Sequence, residues 1–87
     1  MLKAIIKKIS HATDSIIFET EDFGYGCGEI MTVIDERLLQ EGDEISGDLE
    51  NYGTEEIIIT KNGMKIEIYI EDFGLSYEEA LALFSTL

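Results

Sequence analysis

The chain has 87 residues, with nineteen Asp and Glu against six Lys and Arg, a formal net charge of −13 and a hydrophobic fraction of 45%. That length makes residues 1–87 a single compact domain, which buries roughly 60–65% of its unfolded surface and needs no metal or disulfide staple for its core. Such a charge opposes direct binding to phosphate backbones and to anionic membranes, and it favours solubility and partners with a basic surface.

Cys27 is the only cysteine, so no internal disulfide forms, as suits a reducing, cytoplasmic setting. Residues 1–10 have lysines scattered through them and lack the apolar core of a signal peptide. No stretch reaches the ~18–20 apolar residues of a membrane span.

Residues 2–10, LKAIIKKIS, read as a strand with Leu2, Ala4 and Ile6 on its core face and an alternation that breaks near Lys8. Lys3, Lys7 and Lys8 are half of the basic residues. They fit the guarding of an exposed sheet edge better than a functional basic patch. Residues 11–14 are a turn, and residues 15–20, SIIFET, form a second strand with Ile16 and Phe18 on one face. The two strands make a hairpin.

In residues 21–29, EDFGYGCGE, glycines at 24, 26 and 28 alternate with Tyr25 and Cys27. Two readings stand: a loop, or a strand whose glycine side accepts close packing. The glycine spacing matches neither a dinucleotide fingerprint nor a P-loop. Residues 30–40, IMTVIDERLLQ, read as a strand to about Ile34, then a short helical turn capped by Asp35 with Leu38 and Leu39 inward. One helix over 30–40 is the alternative, since Ile30, Val33, Ile34 and Leu38 also fit a 3.6 period.

A turn at 41–43 precedes a strand over 44–50, with Ile45, Gly47 and Leu49 on one face and Gly47 marking a bend. The run from Leu38 to Gly47 is similar to the strand entrances of many small β-barrels, a likeness of fold alone. After a turn at 51–53 comes the strongest signal, a hairpin over 55–74. Asn62-Gly63 suits a two-residue type I′ turn, which sets Ile59 against Ile66, Ile57 against Ile68 and Glu55 against Ile70. Ile57, Ile59, Ile66, Ile68 and Ile70 then share the core face.

The chain ends in a helix. Ser76 and Glu79 form a capping box, and Tyr77, Leu81 and Phe84 form a stripe, flanked by Ala80, Leu83 and Leu87, that covers an open end or face of the sheet. The tetrapeptide Glu-Asp-Phe-Gly occurs twice, at 21–24 and 71–74, each copy ending a strand. Turn chemistry explains both copies. A pair of loops bringing Asp22 and Asp72 together is the alternative.

No catalytic constellation emerges, and no cofactor or metal is expected. His11 and Cys27 are the only base–thiol pair, and a lone cysteine is usually a small buried hydrophobe. Zinc requires more Cys and His, and no acidic run has calcium-loop spacing. What remains is acid density. Asp35, Glu36, Glu41, Asp43, Glu44, Asp48, Glu50, Glu55 and Glu56 stand against one base, Arg37, and are expected to crowd one rim.

The sequence therefore predicts a mainly β fold of five or six antiparallel strands, a curled sheet or SH3/OB-like barrel, with a C-terminal α-helix. The expected function is a small non-catalytic protein-binding module that uses this rim or an exposed strand edge. Two alternatives are an acidic nucleic-acid mimic that inhibits a basic protein, and a small metal-dependent protein built on the Asp22 and Asp72 loops.

Overall fold

The computed structural model describes residues 1–87. Six strands, β1 (Leu2–Ser10), β2 (Ser15–Thr20), β3 (Gly24–Ile30), β4 (Glu44–Gly47), β5 (Gly53–Ile59) and β6 (Met64–Leu75), form an antiparallel barrel closed in the order β1-β2-β3-β6-β5-β4. One helix, α1 (Tyr77–Phe84), follows. This is the small SH3/OB-like barrel that the strand pattern predicts. Its interior is filled by isoleucines from all six strands together with Phe18, Leu39 and Leu49. No helix is long and apolar enough to cross a membrane.

Closure changes the meaning of the N-terminal lysines. β1 pairs with β2 on one side and with β4 on the other, so Lys3 and Lys7 guard no edge. Lys7 is the extra residue of a β-bulge, lying between Ile6↔Phe18 and Lys8↔Ile17. The bulge is the break seen near Lys8, and it returns Ile9 to the core side. Lys7 Nζ sits 3.2 Å from Glu19 Oε1, and Lys8 Nζ lies 5.8 Å from the centre of the Phe84 ring.

The glycine-rich segment is strand β3. A Cβ on Gly26 would lie within the Phe18 ring, and one on Gly28 would strike the Tyr69 carbonyl of β6. The bare inner side of β3 is what lets Phe18 fill the barrel at that level.

Beyond Ile30 the ladder fails earlier than expected. The Met31 N–H still donates to the Glu67 carbonyl, but the Glu67 N–H donates to Thr32 Oγ1 instead of to a backbone carbonyl. A side chain has replaced the ladder, so the strand stops at Ile30 rather than Ile34. The single-helix alternative also falls, because Val33 is 99% exposed. Helix is confined to a 3-10 turn (Glu36–Leu38), where the Arg37 N–H donates to Asp35 Oδ1 and Leu39 enters the core.

β4 ends at Gly47 rather than Glu50, and its ladder with β5 is only Ile45↔Ile59 and Ser46↔Ile58. A Cβ on Gly47 would lie 2.9 Å from Ile57 Cγ2 and 3.1 Å from the Glu56 carbonyl oxygen, so this approach of β4 to β5 requires glycine. Leu49 remains fully buried and seals that end of the barrel.

The β5–β6 hairpin has the expected faces but not the expected register. Ile59 pairs with Met64, Ile57 with Ile66 and Glu55 with Ile68. The connection is four residues, 60–63, and not the two-residue turn. Among Asn62 and Gly63 only Gly63 has positive φ, at 69°. Asn62 acts through its side chain, with Oδ1 accepting the Met64 N–H at 2.9 Å, while the Gly63 N–H donates to the Ile59 carbonyl. The slip is two residues, one full period of the strand, so all five isoleucines stay inside.

The capping box forms as predicted. The Glu79 N–H donates to Ser76 Oγ, and the Ser76 N–H donates to Glu79 Oε1. The helix covers a face and not an end: it packs on the outside of β3, flanked by β2 and β6. The Tyr25 and Tyr77 rings meet edge-on at 5.3 Å. Ala80 is the buried centre of the helix, and Ile17 and Cys27 are fully buried outside the barrel cluster. Burying an isoleucine such as Ile17 contributes about 1.5–3 kcal/mol.

Candidate functional site

The strand directions give the barrel two ends. The 11–14 turn, the 31–43 connection and the 60–63 loop lie at one end; the 21–23 turn and the 48–52 connection lie at the other. This divides the nine acids instead of gathering them on one rim. Asp35, Glu36, Glu41, Asp43 and Glu44 belong to the first end. Asp48 and Glu50 belong to the second, and Glu55 and Glu56 lie on β5 between the two.

Three of the first group are occupied in holding the fold. Asp35 accepts two hydrogen bonds from the Arg37 guanidinium, at 3.1 and 2.9 Å, and these hold its carboxyl below the usual range. Asp43 Oδ2 lies 2.7 Å from Lys61 Nζ and accepts the Gln40 N–H at 2.8 Å. Burial alone would raise the Asp43 pKa, but the Lys61 ammonium and the Gln40 amide outweigh it and the net shift is downward. Glu44 Oε2 accepts from the Thr60 hydroxyl at 2.8 Å. Asp43 and Glu44 thus tie the 60–63 loop to the start of β4. Glu36, Glu41, Asp48, Glu50, Glu55 and Glu56 have no ion pair; the three in the molecule are Lys7–Glu19, Arg37–Asp35 and Lys61–Asp43.

The two Glu-Asp-Phe-Gly copies do meet, though in different conformations. The first is the β2–β3 turn; the second does not end its strand but runs inside β6. Gly24 and Gly74 both have positive φ, 77° and 69°. A Cβ on Gly24 would lie 2.8 Å from the Leu75 carbonyl oxygen, and one on Gly74 would lie 3.8 Å from that of Phe23. What comes together is backbone. No group of three or more His, Cys, Asp or Glu side chains lies together to hold a metal ion.

Asp72 has another setting. Its Oδ1 accepts the Tyr52 hydroxyl at 3.2 Å and the Phe73 N–H at 2.8 Å. The Tyr52 ring lies 4.8 Å from the Phe73 ring, and Tyr52 is 68% exposed. Beside this cluster runs an open groove of about 470 Å³ between the end of β6 and α1, lined by Asp72, Leu75, Glu79, Ala82, Leu83 and Thr86. Sequence reasoning singled out Asp72 and Glu79, but in separate motifs. The helix spacing of Glu79, Ala82, Leu83 and Thr86 was legible as a second face; that Tyr52 would reach Asp72 across twenty residues was not.

Cys27 is buried on the face that α1 covers, and His11 lies in the β1–β2 turn. Burial, with the Glu71 and Glu29 charges, pushes the Cys27 thiol up to about 11. A protonated, covered thiol is a packing group and not a nucleophile. Against family models, curated proteins and solved structures alike, the chain finds no match.

Proposed function

We propose that the chain is a non-catalytic binding module whose acidic surface recognises a basic partner protein. The observation that carries this is the surplus of unpaired carboxylate. Nineteen acids face six bases, and only three ion pairs form. Such a surface repels itself, and a basic partner relieves that repulsion while the field speeds encounter. The division of the acids between two ends and β5 favours a partner that contacts one part of the surface and is steered by the rest.

The test is capture from a lysate on the immobilised protein at low salt and at ~0.5 M salt, with the bound proteins identified. Basic proteins held at low salt and released at high salt support the reading. Salt-resistant capture of acidic proteins overturns it. If the captured set consists of nucleic-acid-binding proteins, displaced by competing DNA, the carboxylates act as phosphate mimics and the inhibitor reading replaces the module.

A further inference from the structure

The groove between β6 and α1 brings together an apolar lining, two carboxylates and a neighbouring aromatic ring. Its floor is apolar, made by Leu75, Ala82 and Leu83. Two carboxylates, Asp72 and Glu79, line it. Each has one oxygen taken by fixed donors: Asp72 Oδ1 by Tyr52 and Phe73, and Glu79 Oε1 by the Ser76 N–H. These bonds hold the carboxylates in place and leave Asp72 Oδ2 and Glu79 Oε2 without a protein donor. No lysine or arginine of the chain pairs with either. At the Asp72 end stands the Tyr52 ring, backed by Phe73 and open to solvent.

We propose that this groove seats an arginine side chain presented by the partner. The inference rests on the reading of the chain as a module for basic partners. It adds which part of the surface makes the specific contact and which side chain fills it. The three-carbon stem of arginine covers the Leu75–Ala82–Leu83 floor, as long cationic side chains cover apolar surface while their heads stay in polar surroundings. The planar guanidinium offers several donors at fixed angles, suited to carboxylate acceptors such as the free oxygens of Asp72 and Glu79. The exposed Tyr52 ring, whose hydroxyl donates to Asp72, offers an aromatic surface beside that carboxylate. A lysine ammonium, a strongly hydrated point charge, neither offers a planar fork to carboxylates nor stacks as well. The remaining carboxylates supply steering without occupying the seat.

The experiment is a titration of the intact protein with an arginine–glycine repeat peptide, followed by amide NMR shifts and by fluorescence anisotropy. A lysine–glycine repeat of equal length is the comparator. The expected result is shifts centred on Asp72, Leu75, Glu79, Ala82 and Leu83, with tighter binding of the arginine peptide. Asp72→Asn with Glu79→Gln keeps the shapes and the capping geometry, and should weaken binding by about tenfold or more. Glu36→Gln with Glu41→Gln, at the first barrel end, removes the same charge and should weaken it only about twofold. Ala82→Trp fills the groove without touching charge and should abolish the localised shifts. A single cooperative unfolding transition and a native amide spectrum for each variant show that it is folded. Equal loss from both charge-neutral pairs, shifts spread over the whole acidic surface, or equal binding of the lysine peptide overturns the arginine seat and leaves the acidic module standing. Absence of binding by either peptide at low salt overturns both.

Discussion

The ring of Phe18 on β2 fills the space that a side chain on Gly26 of β3 would need. The two residues are direct cross-strand partners, and Phe18 is fully buried. One large and one absent side chain together fill a single layer of the barrel. Gly26→Ala should therefore cost about 1–3 kcal/mol by overpacking. In urea unfolding, the double variant Phe18→Leu, Gly26→Ala should lose less than the sum of the two single changes. Additive losses in that cycle would show that the ring and the glycine do not share the space.

The same pair shows what can be read from sequence. Alternating glycines opposite an aromatic-bearing strand announce a face needing room, so the strand reading of 24–30 was accessible. The five-isoleucine face of β5 and β6 was accessible too, because its parity survives any slip of two residues. The register was not. It turns on whether Asn62 adopts positive φ or uses its side chain on the Met64 N–H, and both suit Asn-Gly. The end of β3 depended on Thr32 meeting Glu67, thirty-five residues away. The division of the acids was hidden for a similar reason. Turns adjacent in sequence lie at opposite ends of the barrel, as 41–43 and 48–52 do on either side of the short strand β4. The Tyr52–Asp72 contact follows from the β5–β6 hairpin, where Gly53 pairs with Ile70 and brings Tyr52 beside the end of β6.

Cys27 separates burial from loop exposure in solution. It lies under α1, with its thiol pushed up to about 11 by burial and by Glu71 and Glu29. In the native protein near pH 8, labelling by a disulfide reagent should be slow and limited by opening of the structure. It should become fast in denaturant. Ser76→Ala, which removes the helix cap at a cost of about 1 kcal/mol, should speed native labelling by favouring release of α1. Rapid native labelling, unaffected by the cap, would contradict the cover.

The Asp43–Lys61 pair predicts a pH dependence with a defined sign. The folded-state pKa of Asp43 is depressed, after burial has been offset by Lys61 and the Gln40 N–H. Its contribution is present above the ordinary carboxylate pKa and is lost as pH falls through the folded value. Asp35 and Glu79 are also held below the usual carboxylate range, so they too lose stabilisation on acidification. The informative quantity is therefore the stability difference between the wild type and Asp43→Asn. That difference should be constant near neutrality and shrink as pH falls below about 4. A difference that grows on acidification would reverse the assignment.

Glu56 and Glu67 face each other directly across β5 and β6 on the exposed side of the sheet. Like charges at such a pair destabilise, and neither residue has a cation within ion-pairing distance. Glu56→Lys converts repulsion into attraction and lowers the net negative charge, so it should stabilise the barrel by about 0.2–1 kcal/mol. Added salt should stabilise the wild type as well, because screening weakens self-repulsion more than it weakens three ion pairs. Salt should also help Glu56→Lys less than the wild type, since less repulsion remains to screen. Thermal unfolding of both proteins from low salt to ~0.5 M checks all three statements. A wild-type midpoint that falls with salt would mean that the ion pairs, and not the surplus of carboxylates, dominate the electrostatics of this fold.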